Sequence, residues 1–469
     1  MAITTDQHGV PLTAPTEAIA TYDRALDALL RLHPDVVDET TALTTGHPGV
    51  AMGHALAAYL HLMSTDRRDL DTARAAAGEL RARAELPREQ AHADAVDAWV
   101  GGDWVGASCT LDALLQEWPR DLLALAHGHQ LDFFLGDAAN LRDRVARSLP
   151  EIDPAHPHLG YVHGMHAFGL EESGNYAQAE ASGLAALATN ERDVWATHAV
   201  VHTYEMQGRV DTGVRFLLER EAHWGSDNLF TVHNWWHLAL YALEAGEPDR
   251  ALAIFDAQIH TEDSSGVPIE LLDASALLWR LLLDGVDVGP RFVRLAEAWR
   301  PLRQEEPWYG FNDVHAVMAL AGAGALADGR AVVDRMERHL VSATGTNATT
   351  TAEVALPVSR AVIAFAEDRH RDVVTLLSPL RRTLHRFGGS HAQRDAWQRT
   401  LLESALRAGD AGLARALSAE RVSARGDATY NWRQRARALR LAGDPARADA
   451  ASARAAENQA RFATAFTPT

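Results

Sequence analysis

Blocks rich in alanine and leucine alternate along this chain with short polar turns led by glycine, and the turns are regularly spaced. They read GDW at Gly102, GDA at Gly136, GNY at Gly174, GRV at Gly208, GEP at Gly246, GDA at Gly409 and GDP at Gly443. Successive glycines lie 34, 38, 34 and 38 residues apart from Gly102 to Gly246, and 34 apart from Gly409 to Gly443. Small residues keep register with them. Ala107, Ala179, Ala251, Ala414 and Ala448 follow a glycine by five, and Ala95, Ala167, Ala239 and Ala436 precede one by seven. A glycine ends one helix and lets the chain reverse, and alanines let paired helices approach closely. The pattern predicts an all-α, right-handed α-solenoid of helical hairpins over 1–469, most regular at 90–260 and 395–460. The middle, 285–390, is less regular. Pro290 breaks the register after Gly285, Asp368 stands where a turn glycine would, and 342–351 (SATGTNATTT) reads as a loop.

Composition narrows the class. Lys+Arg 44 against Asp+Glu 63 gives a net charge of −19, and no basic run stands out, so nucleic acid is not an expected partner. No 18-residue apolar run could span a bilayer, and the opening MAITTDQHGVPLTAP lacks a basic segment followed by an apolar one. A lone cysteine, Cys109, cannot form an internal disulfide and is expected as a buried thiol. These features point to a soluble cytoplasmic protein; a homodimer is left open.

The unit near 34 residues resembles the tetratricopeptide repeat, two antiparallel helices per unit. The likeness sharpens in five ordered blocks: HPHLGYVHGMHAFGLEESGNY (156–176), WATHAVVHTYEMQGR (195–209), HNWWHLALYALEAGE (233–247), FNDVHAVMAL (311–320) and GGSHAQRD (388–395). Together, over roughly 100–405, they resemble the tetratricopeptide repeat protein 38 family. That family is known chiefly by its fold, so the resemblance implies the architecture and no activity. The histidine of GGSHAQRD can be another polar residue there, which lowers the weight on His391.

Candidate chemistry gathers on the expected inner helices. Eleven of the 23 histidines fall between Ala126 and Leu240. His198/His202 and His233/His237 are spaced i, i+4, and each pair shares one helix face. Counted back from Gly208, His198, His202 and Glu205 form one stripe of an inner helix, with Glu171 at the matching place before Gly174. His198, His202, Glu205 and His233 are therefore the candidate catalytic set. Glu171, His166, Trp236, His237, Asp313, His315, His391 and Arg394 are candidate ligand contacts. An acid–base site of hydrolase or lyase type needs no cofactor, and none is evident. Alternatively His198 and His202, completed by Glu205 or His233, could hold zinc, although no cysteine or HExxH signature supports it.

Blander roles stand beside each of these. The histidines can hydrogen-bond across the repeat interface to partners such as Thr203 and Tyr204, and Trp235 or Trp236 can plug the core. Asn312 or Asp313 can cap a helix, and Ser390 with Gln393 makes a capping box. Arg394 can pair with Asp395 or bind a substrate carboxylate. His156 and His158 flank Pro157 and are expected in solvent. The His, Glu, Trp and Phe stripe favours a small-molecule pocket; the alternative is an interaction scaffold taking a peptide or helix in the concave groove.

Overall fold

A computed structural model describes residues 2–302 and 305–466, and it is an all-α helical-repeat solenoid. Helices pair in order along the chain. Leu122–Leu135 pairs with Ala138–Ser148, Leu159–Glu172 with Tyr176–Thr189, Val194–Met206 with Val210–Glu219, and Thr231–Glu244 with Pro248–Ile254. The predicted turn glycines all sit in the left-handed region, with φ between 67° at Gly136 and 87° at Gly102. There a side chain would be strained. In the GD turns the next residue completes the reversal: Asp103, Asp137, Asp410 and Asp444 each accept a hydrogen bond from a first-turn N–H of the following helix. All nine register alanines are buried. Five residues after Gly208 the chain carries Gly213 instead of alanine, and a Cβ there would lie 2.3 Å from the Tyr241 ring.

Helical hairpins also fill the stretch expected to be irregular. Pro268–Leu283 is followed by Arg291–Ala298, Gly310–Gly322 by Leu326–His339, and Leu356–Ala366 by His370–Leu377. Asp368 adopts φ 57°, doing the work of a turn glycine as its position suggested. Gly324, not among the expected turn glycines, makes another such turn at φ 73°. The 342–351 stretch is only partly a loop: Thr346–Thr350 is helical and runs into a wider turn at Thr351–Ala355. Asn347 secures it by accepting from the Gly310 N–H at 2.9 Å.

Ile3–Thr5 and Pro11–Thr13 form a small antiparallel hairpin. Helix residues hold it: Glu89 accepts from the Thr13 N–H at 2.6 Å, and Arg88 donates to the Pro11 carbonyl at 3.1 Å. Cys109 is exposed, on the outward stripe of Trp104–Glu117 that also exposes Val105.

The array curls until distant repeats touch. Asn312 donates to the Thr65 carbonyl at 3.1 Å, the Thr346 N–H to the Gly102 carbonyl at 3.0 Å, and the His391 N–H to Glu172 at 2.9 Å. Trp279 reaches Thr400 at 2.9 Å. Consequently Val194–Met206, Thr231–Glu244, Pro268–Leu283 and Gly310–Gly322 bury nearly every residue, and the inner faces meet one another. Among the described residues no helix is long and apolar enough to cross a membrane.

Candidate functional site

Where the inner helices converge, four imidazoles meet. Asp193 caps Val194–Met206 and starts the helix that carries His198 and His202 one turn apart. Thr231–Glu244 presents His233 and His237 in the same way. All four are buried, and one ring nitrogen of each can be chosen so that the four lie within 4.8 Å of one another. The rings pack at centroid distances of 4.3 Å (His198–His202), 4.4 Å (His202–His237), 4.9 Å (His198–His233) and 4.9 Å (His233–His237).

Carboxylates surround this cluster. His233 Nδ1 lies 2.6 Å from Asp273 Oδ2, and His237 Nδ1 lies 2.9 Å from Glu205 Oε2. His202 Nδ1 is 3.5 Å from Glu171 Oε2, in contact but without hydrogen-bond geometry. Among the described residues neither nitrogen of His198 or His202 has a hydrogen-bond partner, nor has His237 Nε2, either oxygen of Glu171 or either amide atom of Asn234.

Burial sets the protonation states. It holds His198, His202 and His237 well below the usual imidazole range, and the neighbouring imidazoles push the same way. Burial raises the Glu171 carboxyl well above the carboxylate range, with the charges of Glu172 and Glu205 adding to it, and burial also raises Glu205. Burial thus holds three of the imidazoles in the neutral form beside a neutral Glu171.

On the His198 and His233 side lies a cavity of about 40 Å³, walled by Phe133, Phe168, Trp195, Phe230, Tyr309 and Phe311 with Gln130 and Gln393 as polar points. Its size suits roughly three waters or a small ligand. Ile269, at the start of Pro268–Leu283, sits at its partly exposed edge.

The structure brings together His198, His202, His233, His237, Glu171 and Glu205, and stacks Trp236 on His233 at 5.2 Å. Glu205, expected in the reacting set, stands behind His237 as its partner. Other candidates fall elsewhere. His166 is half-buried beside His163, Arg142 and Asp143. His315 donates to or accepts from nothing in the cluster; its Nδ1 lies 2.7 Å from the Phe311 carbonyl and its ring against Phe311 and Trp397. Asp313, pushed up to about 6 by burial, faces Arg335. His391 is half-exposed and bonds the Glu172 carbonyl at 3.0 Å.

Arg394 does not pair with Asp395. It reaches Glu172 at 3.2 Å and the Gly389 carbonyl, while Asp395 is held by Arg399, Arg421 and Arg425. The Ser390–Gln393 capping box forms as expected. Asp273 was missed, although one carboxylate inside the apolar run LLDASALLW is a visible signal. His158 was expected in solvent and is buried, packed with His156 against His8, whose Nε2 lies 3.0 Å from His158 Nδ1.

No family model matches the sequence. Two solved structures are similar to it at low level. One is a monomeric mutant of IFIT1 with Gppp-AAAA, at 11% identity, TM-score 0.39, covering 87% of this chain and 90% of that one. The other is Naa15/Naa10 bound to HypK-THB, at 14% identity, TM-score 0.23, covering 97% and 68%. Neither likeness bears on function, and the fold assignment rests on the helices themselves.

Proposed function

We propose that this helical-repeat scaffold binds a small ligand in its interior, where the aromatic cavity meets His198 and His233. The observation that supports it is the gathering at one place of buried polar atoms that have no hydrogen-bond partner among the described residues: those of His198, His202, His237 and Glu171. Folded proteins leave few such groups unpaired, and each costs about 1–3 kcal/mol. A ligand in the cavity meets His198 and offsets part of that cost. Acid–base catalysis fits less well, because a general base works best near the operating pH. Burial takes these imidazoles well below it, and Glu205 is engaged by His237. The reading is therefore binding. Thermal-shift screening of small compounds should give stabilising hits that Ile269→Trp, which closes the cavity edge, abolishes. A wild-type protein that no compound stabilises, and whose native mass equals that of the bare chain, overturns it.

A second reading, an interaction scaffold, draws on the repeat architecture and on an open cleft of about 820 Å³ between Trp104–Glu117, Ala138–Ser148 and Thr346–Thr350. Asp103, Asp112, Asp137, Asp143 and Glu353 line it against Arg386, so a basic peptide suits it. The concave face is a poorer dock, because the inner helices are buried on one another. Salt-sensitive binding of a lysine-rich peptide, weakened by Glu353→Gln, would favour this reading.

A further inference from the structure

We propose that His198, His202, His233 and His237 bind one divalent late first-row metal ion of the zinc class through a ring nitrogen each. This names the ligand class at the interior site and so rests on the internal-binding reading above.

Geometry comes first. Two i, i+4 histidine pairs on neighbouring inner helices give four nitrogens within 4.8 Å of one another. Zinc–imidazole bonds of about 2.0–2.1 Å place tetrahedral nitrogens about 3.4 Å apart. Inward shifts of under an ångström or so per ring would close the set, a scale that side-chain torsions supply. Four neutral nitrogen donors suit zinc, copper, nickel or iron rather than magnesium or calcium, which take oxygen.

The surroundings make the stronger case. A metal-bound histidine usually donates its other N–H to a carboxylate, which fixes the ring and its tautomer. Here Asp273 stands behind His233, Glu205 behind His237 and Glu171 beside His202. Asp273 is itself steadied by Gln393, whose amide donates at 3.4 Å. With Nδ1 of His233 and His237 engaged, Nε2 is the free lone pair, and that of His237 has no partner among the described residues. A packing network would pair the ring nitrogens with hydroxyls or carbonyls. His127 and His315 do so through Leu123 and Phe311, whereas the four clustered rings face one another. The cavity at His198 and His233 leaves one side of the cluster approachable.

The test uses the full-length chain without a histidine tag. Elemental analysis should find about one transition-metal ion per chain, or metal-stripped protein should take up one Zn²⁺ with a rise in melting temperature. Co²⁺ added to stripped wild-type protein should give the intense visible bands of tetrahedral nitrogen coordination, a readout that needs no variant. His237→Gln should lose the ion and the bands, while His129→Gln, another buried histidine, should keep both. Ile269→Trp should keep the ion while losing organic ligands, so failure of the cavity and failure of the metal site are told apart. Stripped protein that shows neither a Zn²⁺-dependent shift nor Co²⁺ bands overturns the proposal, as does full metal content in His237→Gln.

Discussion

Asp193→Asn should make the protein more stable at alkaline pH and leave it nearly unchanged in acid. Asp193 caps the helix that carries His198 and His202. Its Oδ1 accepts from the Ala196 N–H at 2.9 Å, while Oδ2 is buried without a hydrogen-bond partner among the described residues. Burial pushes its carboxyl up from 3.8 to about 7, against the pull of the Ala196 and Trp195 backbone N–H groups. The folded state therefore holds the proton more tightly than the unfolded chain. That contribution is fully present below pH 3.8, falls away as pH rises through about 7, and is absent above it. Three pKa units at 1.36 kcal/mol each set the loss at about 4 kcal/mol. An ionised cap at a helix N-terminus returns only about 0.3–1 kcal/mol through the helix dipole, so burial wins. Asparagine keeps the cap acceptor and removes the charge. Urea unfolding followed by circular dichroism at pH 4.5 and 8.5 should show the variant's advantage growing by a few kcal/mol between the two. A variant less stable than wild type at pH 8.5 would mean that the charge at the helix start outweighs its burial, and the reasoning would fail.

Two further outcomes follow from packing and charge. Gly136→Ala should cost at least about 1–3 kcal/mol, because φ is 67° and a Cβ would sit 1.7 Å from the His385 carbonyl oxygen; a variant with an unchanged melting temperature would contradict the close approach. Arg88→Met should cost about 3–5 kcal/mol, since it strips Asp121 of its buried cationic partner at 2.6 Å and leaves that carboxylate only His92 and the Ala124 N–H; the loss is read by urea unfolding, and a change under about 1 kcal/mol would contradict the ion pair's role.

The turns were legible because the left-handed conformation selects glycine, and Asp368 shows that the spacing carries the signal even where another residue takes it. Gly324 escaped because AGAGALADG offers three glycines and the sequence does not say which one bends. The hairpin at Ile3–Thr5 and Pro11–Thr13 escaped for another reason: three-residue strands show no period, and Glu89 and Arg88, far along the chain, hold them. In the site, helical spacing put His198 with His202 and His233 with His237. It could not rank Glu205 as a partner behind His237, because that depends on the crossing of two helices. Asp273 lies 40 residues from His233, and only the packing of Pro268–Leu283 brings it near. Arg394 and Asp395 are neighbours in sequence yet point to different partners, since successive helical residues diverge by about 100°.

The contacts that close the array have a consequence for its history. An open solenoid can gain or lose a unit cheaply, since each unit touches only its neighbours. Here Asn312 meets Thr65, Thr346 meets Gly102 and His391 meets Glu172, so a duplicated or deleted hairpin between any of these pairs would misalign both sides of the seam. The number of repeats between these contacts is fixed by geometry, and length changes are accommodated in the loops beyond the seam.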